Sequence, residues 1–127
     1  MNYGISKKVS QTFEQAIEKV TEELKKEGFG VLTTIDMKET LHKKLGVEIG
    51  RYTILGACNP QFANRSLEIE QEIGLLLPCN VIVYEKDNTV TVSAFDPGII
   101  GAVVTNPAIQ PVASEVRERL QRVIAAV

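Results

Sequence analysis

Two alternating runs of apolar and polar residues, Asn80 to Glu85 and Thr89 to Phe95, flank the dipeptide Asp87-Asn88. Both turn residues tolerate positive φ, so the segment reads as a tight β-hairpin. Strands joined by so short a connection must pair antiparallel, whereas parallel neighbours need a long crossover. The hairpin therefore commits the chain to a sheet that is mixed or mainly antiparallel.

The rest of the pattern supplies strands and helices in alternation. Tyr3, Ile5 and Val9 alternate with Ser6, Lys8 and Ser10 as a first strand, although Lys7 interrupts its apolar face. Thr12 and Gln15 have capping-box spacing, and Phe13, Ala16, Ile17, Val20 and Leu24 follow at helical intervals until Gly28 can stop the helix. Phe29 to Met37 holds the run Val31-Leu32-Thr33-Thr34-Ile35, expected to be a largely buried strand. Asp36 is placed to cap a short helix from Met37 to Leu45, with Leu41 and Leu45 on one face and Gly46 as its stop. Tyr52 to Cys58 is the next strand. Asn59-Pro60 then starts a helix, expected to keep Phe62, Ala63, Leu67 and Ile73 on the core until Gly74.

After the hairpin, Asp96 to Gln110 is rich in glycine, proline and small apolar residues and reads as a loop with room for a turn of helix. An exposed apolar loop of that length needs a partner, a ligand or the domain itself to cover it. A final helix is expected from about Val112 to Ala126, with Val112, Val116, Leu120 and Val123 on one face. The order βαβαβαββα, with its one tight hairpin, predicts an α+β fold: a single sheet covered by helices.

Composition bounds the function classes. At 127 residues the chain makes one domain, 1–127. Its 14 basic and 16 acidic side chains give a net charge of −2, with no positive field to gather nucleic acid or an anionic membrane. Ile99 to Val104 and the other apolar stretches fall far short of the roughly 20 residues that span a bilayer, and Met1 to Gln11 lacks a signal-peptide pattern. The expected location is the cytoplasm.

Chemistry has few places to reside. The two cysteines occupy related settings, Gly56-Ala57-Cys58-Asn59-Pro60 and Leu77-Pro78-Cys79-Asn80. If their strands are neighbours, both thiols can face one pocket near the N-terminus of the Pro60 helix, where free N–H groups favour a thiolate at Cys58. The plainer reading, which takes precedence, is that both are small buried apolar residues. No Cys-x-x-Cys pair is present, so structural zinc is not expected, although a soft ion such as Cu(I) accepts two thiolates. His42 lies among lysines on a polar helix and reads as solvated. No phosphate-binding glycine loop is present, and no cofactor is expected. Glu68, Glu70, Glu72 and Asp96 read as surface and turn residues. Arg51 and Arg65 flank the Asn59 junction and can either fix a small anion there or form ordinary surface ion pairs.

The segments Gly28 to Met37, Tyr52 to Pro60, Gly74 to Val81 and Asp96-Pro97 together resemble the family called domain of unknown function 302, across nearly the whole chain. That resemblance implies a small bacterial or archaeal α+β domain, one curved sheet packed by helices, commonly homodimeric and without an established activity. It also makes Cys58, Asn59, Cys79 and Asn80 the positions to test. Two functional readings follow. The first is a non-catalytic homodimeric module in which the sheet and the Ile99-to-Ile109 loop enclose a small-molecule pocket or form the subunit contact. The second is a thiol-dependent redox or soft-metal-handling protein, with Cys58 and Cys79 as its catalytic candidates.

Overall fold

Asp87 and Asn88 both adopt positive φ, 53° and 60°, in the two-residue turn between β4 (Cys79–Lys86) and β5 (Thr89–Phe95). These backbone angles match the strand twist of a tight hairpin, and Lys86 pairs with Thr89 across it. The structure is a computed structural model that describes residues 2–127; Met1, which begins the Met1–Gln11 segment considered above, lies outside them.

The remaining elements are β1 (Gly4–Val9), α1 (Phe13–Lys26), β2 (Gly30–Asp36), α2 (Met37–Leu45), β3 (Tyr52–Cys58), α3 (Pro60–Ile69), a 3₁₀ segment (Gln71–Leu76), α4 (Gly98–Val103) and α5 (Ile109–Ala126). The five strands form one sheet in the order β1-β5-β4-β3-β2, with every neighbouring pair antiparallel. The fold is α+β, as expected.

The core lies on one face of this sheet. Leu55, Ala57, Cys79, Val81, Val83, Val90, Val92 and Ala94 alternate inward and meet Ala16, Val20 and Leu24 of α1 and Val112, Val116, Leu120 and Val123 of α5. The helix stripe of α1 is the one its spacing predicts, and its capping box forms: Gln15 N donates to Thr12 Oγ1, and Thr12 N donates to Gln15 Oε1. Lys7 points to the helical side of β1, opposite Val92, because its ammonium donates to the carbonyls of Ala125 and Val127 at the end of α5. A cation there satisfies carbonyls that the last helical turn leaves free.

Several expectations need correction. β2 is an edge strand, paired only with β3, so Leu32 is 67% and Ile35 43% exposed despite the β-branched run. Tyr3 lies outside β1 and is exposed. α2 is capped by Asp36 and stopped by Gly46 as predicted, yet none of its residues is buried. α3 stops at Ile69 rather than Gly74; Leu67 faces solvent, and Ile73 is buried from the 3₁₀ segment instead. The apolar stretch after Phe95 is not an open loop. It forms α4 and the start of α5, and Ile100 and Ile109 bury themselves against Ile73 in a second small cluster. The domain itself thus covers Pro97, Ile100 and Ile109, while Ala102, Val103 and Ala108 of that segment stay exposed.

Candidate functional site

β3 and β4 run antiparallel with Ala57 opposite Cys79 and Gly56 opposite Asn80. Alternation then sends Cys79 inward and Asn80 outward. Cys79 is buried, whereas Asn80 is exposed and lies in a shallow depression of the uncovered sheet face with Tyr52, Ile54 and Ile82. The two Cys-Asn pairs are therefore not equivalent, and Asn80 does not belong to the cysteine site.

Cys58 is the last residue of β3, where the chain leaves the sheet for α3, and it is half-buried. Both cysteines line one partly open cavity of about 40 Å³, bounded by the ends of β3 and β4, by α3, and by α4 and α5. Its sixteen lining residues include no charged side chain; Asn59, Ser66 and the two thiols are its polar groups. Phe62, Ile100, Val112, Ala113 and Val116 supply much of the apolar wall. On the face of β3 opposite Ala57 the sheet is tightly packed: a Cβ on Gly56 would collide with Thr33 Oγ1 and come within 3.0 Å of the Pro78 ring.

Burial, and to a lesser degree the charge of Cys58, push the Cys79 thiol up to about 11. At neutral pH Cys79 is a neutral thiol, small and polarisable rather than nucleophilic.

Asn59 is buried but does not cap α3 with its side chain. Its Nδ2 donates instead to the Glu27 carbonyl at 3.3 Å, tying the start of α3 to the end of α1. Gly28, at φ +87°, makes room for this contact, since a Cβ there would lie 2.9 Å from Asn59 Nδ2. The same carbonyl accepts from Arg119 Nη1 at 3.0 Å. Arg119 and Arg65 both lie over the Phe62 ring, at 5.1 and 5.7 Å from its centre. Sequence reasoning missed Arg119, because a contact 92 residues apart in the chain leaves no local pattern. Val112 and Val116 were visible as an apolar stripe, but not as cavity wall.

The arginines singled out from the sequence do not form an anion site. Arg51 precedes β3, at the opposite end of the strand from Cys58, where it pairs with Glu14 at 2.6 Å and covers Phe13. Arg65 stands 4.0 Å from Glu115 on the outer surface of α3 and α5 and does not line the cavity. His42 pairs with exposed Glu48, and Asp96 accepts from Gly98 N and Arg117 Nε as a turn residue. Among the described residues, no group of three or more His, Cys, Asp or Glu is placed to hold a metal ion.

Residues 5–127 match the profile of a family described as domain of unknown function DUF302. A crystal structure described as an uncharacterized conserved protein DUF302 from Bacillus stearothermophilus is similar over 99% of this chain and 98% of that one, at 31% identity and a TM-score of 0.92. No curated protein matches the chain.

Proposed function

The chain belongs to the DUF302 family, and because that membership assigns no chemistry, we propose from the site itself that the protein is a non-catalytic, homodimeric binding module. The observation that carries this reading is a partly open pocket of about 40 Å³ with a largely apolar wall. Interiors normally close such spaces, and one left open costs stability unless something occupies it. No carboxylate, imidazole or amine lines it, so a guest meets packing and a few hydrogen-bonding groups rather than acid–base chemistry. The guest is small, because pockets for larger organic ligands run to roughly 300–1,000 Å³. The buried neutral thiol of Cys79 weighs against thiol exchange as the activity.

The proposed subunit contact is the apolar surface that the domain leaves uncovered beside the 3₁₀ segment and α4. Leu75 is 82% and Val103 61% exposed, and both line one shallow depression with Leu76 and Val104. Exposed apolar groups gathered this way favour a protein contact. No described helix is long and apolar enough to cross a membrane, and two unpaired thiols fit a reducing compartment such as the cytoplasm.

A native mass spectrum of the protein from its own host, under mild reducing conditions, tests both parts. The expected species is a two-chain assembly carrying a small added mass, and Val103→Asp should yield single chains. A bare single chain from the unaltered protein would overturn the proposal.

A further inference from the structure

We infer that the guest is a soft, thiophilic monovalent cation of the Cu(I) kind, held linearly between the Cys58 and Cys79 sulfurs. This deepens the proposed function and rests on reading the cavity as the binding site.

Four observations converge on it. The register sets Ala57 against Cys79, which makes Cys58 the diagonal neighbour of Cys79 on the adjoining strand. Cys58 is the last residue of β3, paired with Gly30 of β2, and both cysteines line the same cavity.

Size is the second observation. A void of about 40 Å³ exceeds the 10–15 Å³ that one water needs, but falls well below the space an ordinary organic ligand fills. An ion bound directly by protein sulfur fits within it.

The donor set is the third. Zinc wants four ligands, and Cu(II) wants a square of nitrogen and oxygen; neither is available in a wall whose only strong metal donors are two sulfurs. A soft ion content with two thiolates is the class that such a wall selects. Neutral Cys79 does not oppose this, since a coordinating metal displaces the thiol proton outright.

Charge is the fourth. Binding breaks two S–H bonds, forms two S–metal bonds and releases two protons to the buffer, with no change in oxidation state. A monovalent cation with two thiolates carries a net charge of −1. That charge sits beside the N-terminus of the ten-residue α3, where Pro60 has no N–H, Asn59 provides no side-chain cap, and the first-turn N–H groups of Gln61 and Phe62 favour an anion.

The test is an anaerobic competition titration in which Cu(I), presented as its bicinchoninate complex, is offered to the reduced protein. The expected result is one Cu(I) per chain, with X-ray absorption showing two sulfur neighbours. Cys58→Ser should weaken binding by more than the roughly 10–100-fold that loss of a ligand's supporting partner costs. Cys79→Ser should do the same; if that buried substitution fails to fold, the half-buried Cys58 variant carries the test alone. No transfer from the chelator, or unchanged affinity in Cys58→Ser, would overturn the assignment. Uptake of xenon by a protein that ignores Cu(I) would refute the cation while leaving the cavity reading intact, whereas failure of both would refute both.

Discussion

Replacing Ala57 with valine should raise stability by up to about 1 kcal/mol. Ala57 is fully buried, faces Cys79 across the β3–β4 ladder and lines the cavity. The pocket measures about 40 Å³, and at roughly 24 cal/mol per Å³ an unfilled space of that size costs at most about 1 kcal/mol. Valine adds two carbons at a residue that lines the void and suits a strand, so the substitution is expected to recover much of that cost. For a 127-residue chain the gain corresponds to a Tm rise of roughly 3–6 °C. Urea unfolding is the assay, with an unchanged slope showing that the folded and unfolded states keep their compactness. Ala113→Val fills the same space from α5 and should behave alike, both variants losing affinity for the guest. If each valine instead destabilises by more than about 1 kcal/mol, the walls are already close-packed and leave no room for a guest.

Gly56→Ala should destabilise by roughly 1–3 kcal/mol, because its methyl meets Thr33 Oγ1 and the Pro78 ring. Combining it with Thr33→Ala should recover part of that loss in urea unfolding; strictly additive losses would contradict the close approach. The Arg122 guanidinium, hydrogen-bonded to the Glu27 carboxylate, holds that group below its ordinary value of 4.5. The folded carboxyl is the stronger acid, so the pair's contribution is present above the unfolded value and is lost as pH falls through the folded one. Between about pH 6 and pH 3, Arg122→Gln should therefore lose less stability than the unaltered protein; equal losses in acid-dependent urea unfolding would contradict the assignment.

What the sequence revealed and what it concealed divide along the range of the interactions. α1 and the β4–β5 hairpin were legible because Thr12-x-x-Gln15 and Asp87-Asn88 encode their own local geometry. The β-branched residues of β2 show that it is a strand but not that it lies at the sheet edge, since strand order is decided by pairing far along the chain. An irregularity in the pairing between Val31 and Thr33 further blurs its alternation. Leu67 and Ile73 fit one helical stripe on paper, but the chain leaves the α-helix after Ile69 and tightens into a 3₁₀ segment. Cys58 and Cys79 did prove to line a common cavity. The likeness of Cys58-Asn59 to Cys79-Asn80 was nonetheless misleading, because one asparagine closes a strand-to-helix junction and the other sits within a strand, where alternation turns it to the opposite face.

The central claim is that the cavity beside Cys58 and Cys79 accepts a small guest, and xenon tests it without presuming the guest's chemistry. Methyl NMR spectra recorded with increasing dissolved xenon should show saturable shifts at Ala57, Val112, Ala113 and Val116, which line the void, while Val83 and Val92, buried elsewhere in the core, stay in place. Shifts that never saturate, or that spread evenly over all the core methyls, would contradict the account.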